Sequence, residues 1–181
     1  MGQDRYRTAP AAMPDATARP YVLGTQSRAR LREVHPDLAA LVERAIQLTA
    51  IDFSIHEGLR TYTRQAALVR AGASWTMDSR HISGHAVDLV PWVDFDADGD
   101  SELRWDWSLA YPIAQAMRQA SLEAATPLIW GGVWDTPLAH LDGPLEDAVA
   151  DYVGRRRALG KPARIDGPHF ELPRAAYPAA G

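Results

Sequence analysis

Apolar residues recur along the chain in two periods, and the switches between them outline the elements. Residues 27–34 read as a short helix with a serine cap, and Pro36-Asp37 opens a longer helix that runs to about Ala50. Leu38, Leu41, Val42, Ala45, Ile46 and Leu48 fall at near-helical spacing, which predicts one buried face. Residues 51–55 alternate apolar and polar and predict a strand, which carries the chain to Glu57-Gly58-Leu59-Arg60. Residues 63–71, with Ala66, Ala67, Leu68 and Val69, predict a second core helix stopped by Gly72, and a loop follows to Asp78. The run Ala86-Val87-Asp88-Leu89-Val90 has the apolar, β-branched character of a buried strand. A third helix is predicted over 107–123, with Leu109, Ile113, Ala116, Met117 and Ala120 inward and Pro112 tolerable only near its start. Residues 127–130 form a strand, and 145 to about 159 a helix whose Arg155-Arg156-Arg157 end suits the helix dipole. The closing PRAAYPAAG reads as frayed. The pattern gives an α+β fold: about three main helices packed on one side of a small, mainly antiparallel sheet.

Composition narrows the class. A chain of 181 residues with 46% hydrophobic content suits one domain with a core. A net charge of -4 gives no electrostatic reason to expect nucleic acid or an anionic membrane as partner. There is no cysteine, so disulfides and thiolate metal sites are excluded, in keeping with synthesis in a reducing cytoplasm. Residues 1–20 hold three prolines and scattered charge without the apolar stretch of a signal peptide, and they read as a flexible tail before a single domain over 21–181. No run approaches the length of a membrane span.

Chemistry concentrates in two segments. Ser79-Arg80-His81-Ile82-Ser83-Gly84-His85-Ala86-Val87-Asp88 sets imidazoles and a carboxylate on either side of a Ser-Gly break. On a helix His81 and Asp88 would lie about 10 Å apart, so shared ligation requires the chain to fold back between them. Ile165-Asp166-Gly167-Pro168-His169-Phe170-Glu171 repeats the theme around a Gly-Pro turn. His81, Asp88 and His169 with a water would make a zinc site with an open position, Asp166 is placed to act on that water as general base, and Glu171 is placed to orient a ligand. His35, His56 and His140 are read as structural, and His85 as lining the pocket. Asp94-x-Asp96-x-Asp98-Gly99-Asp100-x-Glu102 copies the first half of an EF-hand loop but has Trp105 at the twelfth position, which leaves a solvated acidic turn or a loose calcium site of Asp94, Asp96, Asp98, Asp100 and Glu102.

The motifs Ser79-x-His81-x-x-Gly84-x-Ala86-x-Asp88, Trp130-Gly131-Gly132-x-Trp134 and Asp166-x-Pro168-His169-Phe170-Glu171-Leu172, in this order, resemble the D-alanyl-D-alanine carboxypeptidase (VanY-like) family of zinc peptidases, and within it the phage L-alanyl-D-glutamate endopeptidases, or endolysins. The likeness spans roughly residues 22–173. It implies one catalytic zinc on His81, Asp88 and His169, and Asp166 as base. It implies Arg60, within Glu57-Gly58-Leu59-Arg60-Thr61, as the residue that binds substrate and steadies the transition state, although Arg60 could instead pair structurally with Glu57. Gln65, Ser79, Trp130 and Trp134 complete the candidate substrate contacts, the two tryptophans as core or cleft wall. The implied substrate is the peptidoglycan stem peptide, cut between L-Ala and D-Glu by a monomer that reaches the wall through lysis or a separate pore protein. A D-Ala-D-Ala carboxypeptidase with the same site, or a binding module that keeps zinc for structure, are the alternatives. Residues 135–164 stand as an insertion where the family connection is often much shorter.

Overall fold

The computed structural model describes residues 20–94 and 96–178. The expected tail at 1–20 lies almost entirely outside them. Among the described residues the α-helices are α1 (Thr25–Leu31), α2 (Pro36–Leu48), α3 (Tyr62–Arg70), α4 (Trp107–Ala124) and α5 (Leu145–Ala158). The strands are β1 (Phe53–Glu57), β2 (Ala86–Val93), β3 (Glu102–Leu103), β4 (Ile129–Trp130) and β5 (His169–Glu171). The sheet is antiparallel throughout, in the order β1-β2-β5-β4, with β3 paired to the far end of β2.

The core forms where the helical stripe of α2 meets α4 and both cover one face of the sheet. Leu38, Leu41, Val42, Ala45 and Ile46 of α2 are buried, as their spacing predicts. On α4 the buried set is Ala110, Tyr111, Ile113, Ala114, Ala116, Met117, Ala120 and Ser121, with Leu109 only half-buried. Small alanines let the two helices approach, and the sheet adds Phe53, Ile55, Val87, Leu89 and Phe170 from below.

Several local expectations change. Ser27 does not cap α1; the cap position is Gly24, and buried Ser27 accepts a hydrogen bond at Oγ from the Ile55 amide, tying α1 to β1. His35 caps α2 through Nδ1, which accepts from the Asp37 amide. The helix α3 is not a core helix: its one buried residue is Gln65, while Ala67 is exposed and Leu68 and Val69 are half-buried. Nor is the C-terminal segment frayed through Tyr177. The Arg80 guanidinium, buried, donates to the carbonyls of Leu172 and Tyr177, and the Tyr177 hydroxyl donates to Asp37. Among the described residues, no helix is long and apolar enough to cross a membrane.

Candidate metal centre and active-site cleft

Strand register builds the site. Across β2 and β5, Asp88 stands directly opposite His169, and Ala86 opposite Glu171, so the ligand pair and the acid beside it share the face turned away from the helices. Between Ile55 and Glu57 the β1–β2 register shifts by one residue, which sets Glu57 rather than His56 opposite Asp88. Such a bulge re-aims a side chain to the other face of the sheet, and here it lines up Glu57, Asp88 and His169 across three strands. His81 enters from the short 3₁₀ turn Arg80–Ser83, which Gly84 ends in the left-handed region at φ +70°. A side chain at Gly84 would also press on the Glu33 carbonyl. The fold-back that shared ligation demands is therefore made at Ser83-Gly84, as the sequence requires.

Three donor atoms converge. His81 Nε2 lies 3.2 Å from Asp88 Oδ1, His169 Nδ1 lies 3.1 Å from the same oxygen, and the two ring nitrogens are 3.3 Å apart. The far side of each ring fixes its tautomer. His81 Nδ1 donates to the Gly58 carbonyl at 2.8 Å, which leaves Nε2 with its lone pair facing inward. His169 Nε2 donates to Glu171 at 3.0 Å, which leaves Nδ1 inward. Two lone pairs and a carboxylate oxygen thus face one another, an arrangement that calls for a cation. The spacing fits one: a tetrahedron with bonds of about 2.0–2.1 Å has edges of about 3.3–3.4 Å. Without a cation the three groups hold a proton instead. Burial alone would lower the His169 pKa, yet the bonds to Asp88 and Glu171 raise it to about 10. Burial would raise Asp88, and the two histidines hold it far below the usual carboxylate range.

Around this centre Glu171 accepts from His169 Nε2, and Arg60, which borders the cleft, is held by side chains of the protein. Its guanidinium donates to Glu57 at 2.7 Å, to Gln65 at 2.7 Å and to Asp88 Oδ2 at 3.3 Å. The ion pair with Glu57 is real, and Arg60 also fixes the oxygen of Asp88 that faces away from the histidines. Gln65, 0% exposed, does not reach the cleft; it accepts from Arg60 and donates to Ser74 and the Thr76 carbonyl. Ser79 borders the cleft but spends its hydroxyl oxygen on the His81 amide.

The second motif segment is clamped from behind. The Gly131 amide donates to the His169 carbonyl, the Asp166 amide to the Gly131 carbonyl, and Trp130 Nε1 to the Gly167 carbonyl. A side chain at Gly131 would collide with the Asp166 carbonyl, and one at Gly132 with the Trp130 ring. Gly131 thus admits the Asp166 backbone, and Gly132 the Trp130 ring. Trp130, 0% exposed and stacked between Trp107 and Phe170, belongs to the core and is not a cleft wall or substrate contact. Trp134 does line the cleft, 5.1 Å from the His169 ring. The Asp166 side chain faces the same space without a hydrogen bond among the described residues, and burial raises its pKa despite the opposing charge of His169.

The cleft holds about 600 Å³. The sequence reading missed Trp75, Trp105, Arg156 and Arg164 on its walls, and also His56, which lies edge-on to Trp105. None carries a motif signal: His56 lies on β1, Trp75 and Trp105 on loops, and Arg156 and Arg164 on the segment 135–164. His85, expected at the pocket, instead bonds Ser83 and packs on His35. In the acidic loop the oxygens of Asp94, Asp96 and Asp98 gather, all exposed, while Asp100 stands apart and Glu102 pairs with Arg104.

The open cleft is thus floored by two histidines and an aspartate that could hold a metal ion, with the Asp166 carboxylate beside them, and such a group suits hydrolysis. The sequence profile of the phage L-alanyl-D-glutamate peptidase family matches residues 20–172, and the chain belongs to that family. It is 29% identical over 156 residues to the L-alanyl-D-glutamate peptidase of Escherichia phage T5, covering 84% of this chain and 98% of that one. The L-alanyl-D-glutamate peptidase of Listeria phage A118 is 36% identical over 84 residues, 46% of this chain and 27% of that protein. Among solved structures, the Serratia marcescens L-Ala D-Glu endopeptidase ChiX superposes with a TM-score of 0.64 at 34% identity, covering 87% of this chain and 95% of that one.

Proposed function

We propose that the protein is a zinc-dependent endopeptidase that cuts the L-Ala-D-Glu bond of peptidoglycan stem peptides, with His81, Asp88 and His169 as ligands. The convergence of the three donor atoms at 3.1–3.3 Å on the cleft floor carries the reading. When bound there, zinc supplies Lewis-acid polarisation of the scissile carbonyl and lowers the pKa of a water toward about 7. Asp166 takes the proton of the attacking water and returns it to the leaving amine. Burial raises its pKa above the ordinary aspartate value, which makes it a stronger base toward that proton. Glu57, Gln65 and Arg60 work together as positioning residues that hold Asp88, and Trp134 shields one side of His169 from water. The phage family suits action on the cell wall by a monomer after release, with a separate protein opening the membrane.

Digestion of purified peptidoglycan, with masses read on the released fragments, tests the reading. Free stems beginning at D-Glu are expected, abolished by a chelator and restored by zinc. Loss of terminal D-Ala alone would make the protein a carboxypeptidase, and zinc binding without any turnover would make it a binding module. The grouping of Asp94, Asp96 and Asp98 supports weak calcium binding at that loop, with expected dissociation constants of about 10⁻⁴ to 10⁻³ M. Absence of binding heat up to millimolar calcium would leave it an acidic turn.

A further inference from the structure

Six arginines border the cleft; three are paired with carboxylates, and a fourth, Arg80, is buried among backbone carbonyls. Arg60 and Arg64 share Glu57, Arg80 donates to the Leu172 and Tyr177 carbonyls, and Arg174 pairs with Asp78. Arg156 and Arg164 differ. Both come from the inserted segment, and among the described residues neither has a carboxylate partner. Their neighbour Arg155 pairs with Asp135.

Both are held in place without being neutralised. Arg156 Nε donates to the Pro162 carbonyl at 3.1 Å, which curls the end of the insertion back over α5. Arg164 sits at φ +48°, a left-handed conformation rare outside glycine, with its carbonyl accepting from Trp134 Nε1 at 3.0 Å. Its guanidinium lies over the Trp75 ring, 5.4 Å from the centroid, and Trp75 meets Trp134 edge-on at 6.1 Å. Trp134 in turn packs on His169. One aromatic chain thus links the cation to the ligand set, and the strained Arg164 backbone is part of that link.

Of the carboxylates bordering the cleft, Glu57, Asp78, Asp88 and Glu171 are engaged by arginine or histidine, and the fifth, Asp166, is the proposed base; among the described residues none pairs with Arg156 or Arg164, whose charge is left to whatever occupies the cleft. Planar guanidinium groups bind carboxylates through paired, charge-assisted hydrogen bonds. Resting on the peptidase reading above, we propose that Arg156 and Arg164 form a subsite for a free carboxylate of the stem peptide flanking the scissile bond. This gives the insertion a task in choosing substrate: stems whose carboxylates are free are favoured over stems in which they are amidated.

Calorimetry on the zinc-loaded full chain carrying Asp166→Ala, which keeps the peptide intact, tests the subsite. The probes are an L-alanyl-D-glutamyl tripeptide with free carboxylates and the same peptide amidated. The parent is expected to bind the free form about tenfold or more tightly, and adding Arg164→Gln or Arg156→Gln to erase most of that preference. Equal affinity of the parent for both peptides would overturn the proposal. So would variants that weaken both peptides by the same factor, since that marks a structural role for the Trp75–Arg164 stack. Failure of the peptidase reading looks different: the preference persists in binding while the unmutated protein cleaves neither the peptide nor peptidoglycan.

Discussion

At the scale of single residues, the site separates groups that act on substrate from groups that act on ligands. Asp166 faces the cleft free of partners, so Asp166→Ala is expected to cut turnover by about 100-fold to 10,000-fold while metal analysis still finds one ion per chain. Loss of the ion would make Asp166 a ligand. Arg60 touches Asp88 Oδ2, and removing such support to a ligand typically costs about 10-fold to 100-fold in metal affinity. Arg60→Met should show that loss in competition with a chelator, and unchanged affinity would remove Arg60 from the support of the centre. The motif was legible in His81, Asp88, His169 and Asp166 because ligand chemistry restricts residue type. The contacts of Arg60 were not, because an arginine beside a glutamate reads alike whether or not it also reaches Gln65 and Asp88.

Among elements, the bulge in β1 and the Trp130-Gly131-Gly132 turn do most to shape the site. Neither has a sequence signature of its own purpose. The bulge shows only as register, with Glu57 set opposite Asp88. Of the two glycines, Gly131 makes room for the Asp166 backbone and Gly132 for the Trp130 ring. Gly131→Ala is therefore expected to push the Asp166 segment away, lowering stability by about 1–3 kcal/mol in urea unfolding and reducing activity beyond what the stability loss explains. Full activity in a destabilised variant would show that the clamp holds the fold and not the base. Helix α3 failed its apolar reading for a similar reason: Ala66, Leu68 and Val69 look like core, but the residue the structure buries is Gln65, whose amide is fully engaged by Arg60, Ser74 and Thr76.

For the whole molecule, the centre joins segments far apart in the chain, so occupancy should cross-link the fold. Zinc at about 100 times its dissociation constant would add about 2.7 kcal/mol to stability. Thermal unfolding is expected to move to lower temperature with chelator and to recover with zinc. An unchanged midpoint would mean that the ion binds the unfolded chain equally well or does not bind.

What the sequence determined by itself was whatever depends on local periodicity or on residue type: the stripe of α2, the break at Ser83-Gly84, the strand bearing Asp88 and the candidate metal group of His81, Asp88 and His169. What only the tertiary structure decided was everything that depends on which segment lies against which. Trp130 became core and Trp134 cleft wall because one faces Phe170 and the other His169. Tyr177 joined the body of the protein because Arg80, buried near the middle of the chain, donates to its carbonyl. Arg156 and Arg164 entered the cleft because the insertion folds back over it. Such contacts couple positions a hundred residues apart through distance and direction in space, which no period along one chain encodes.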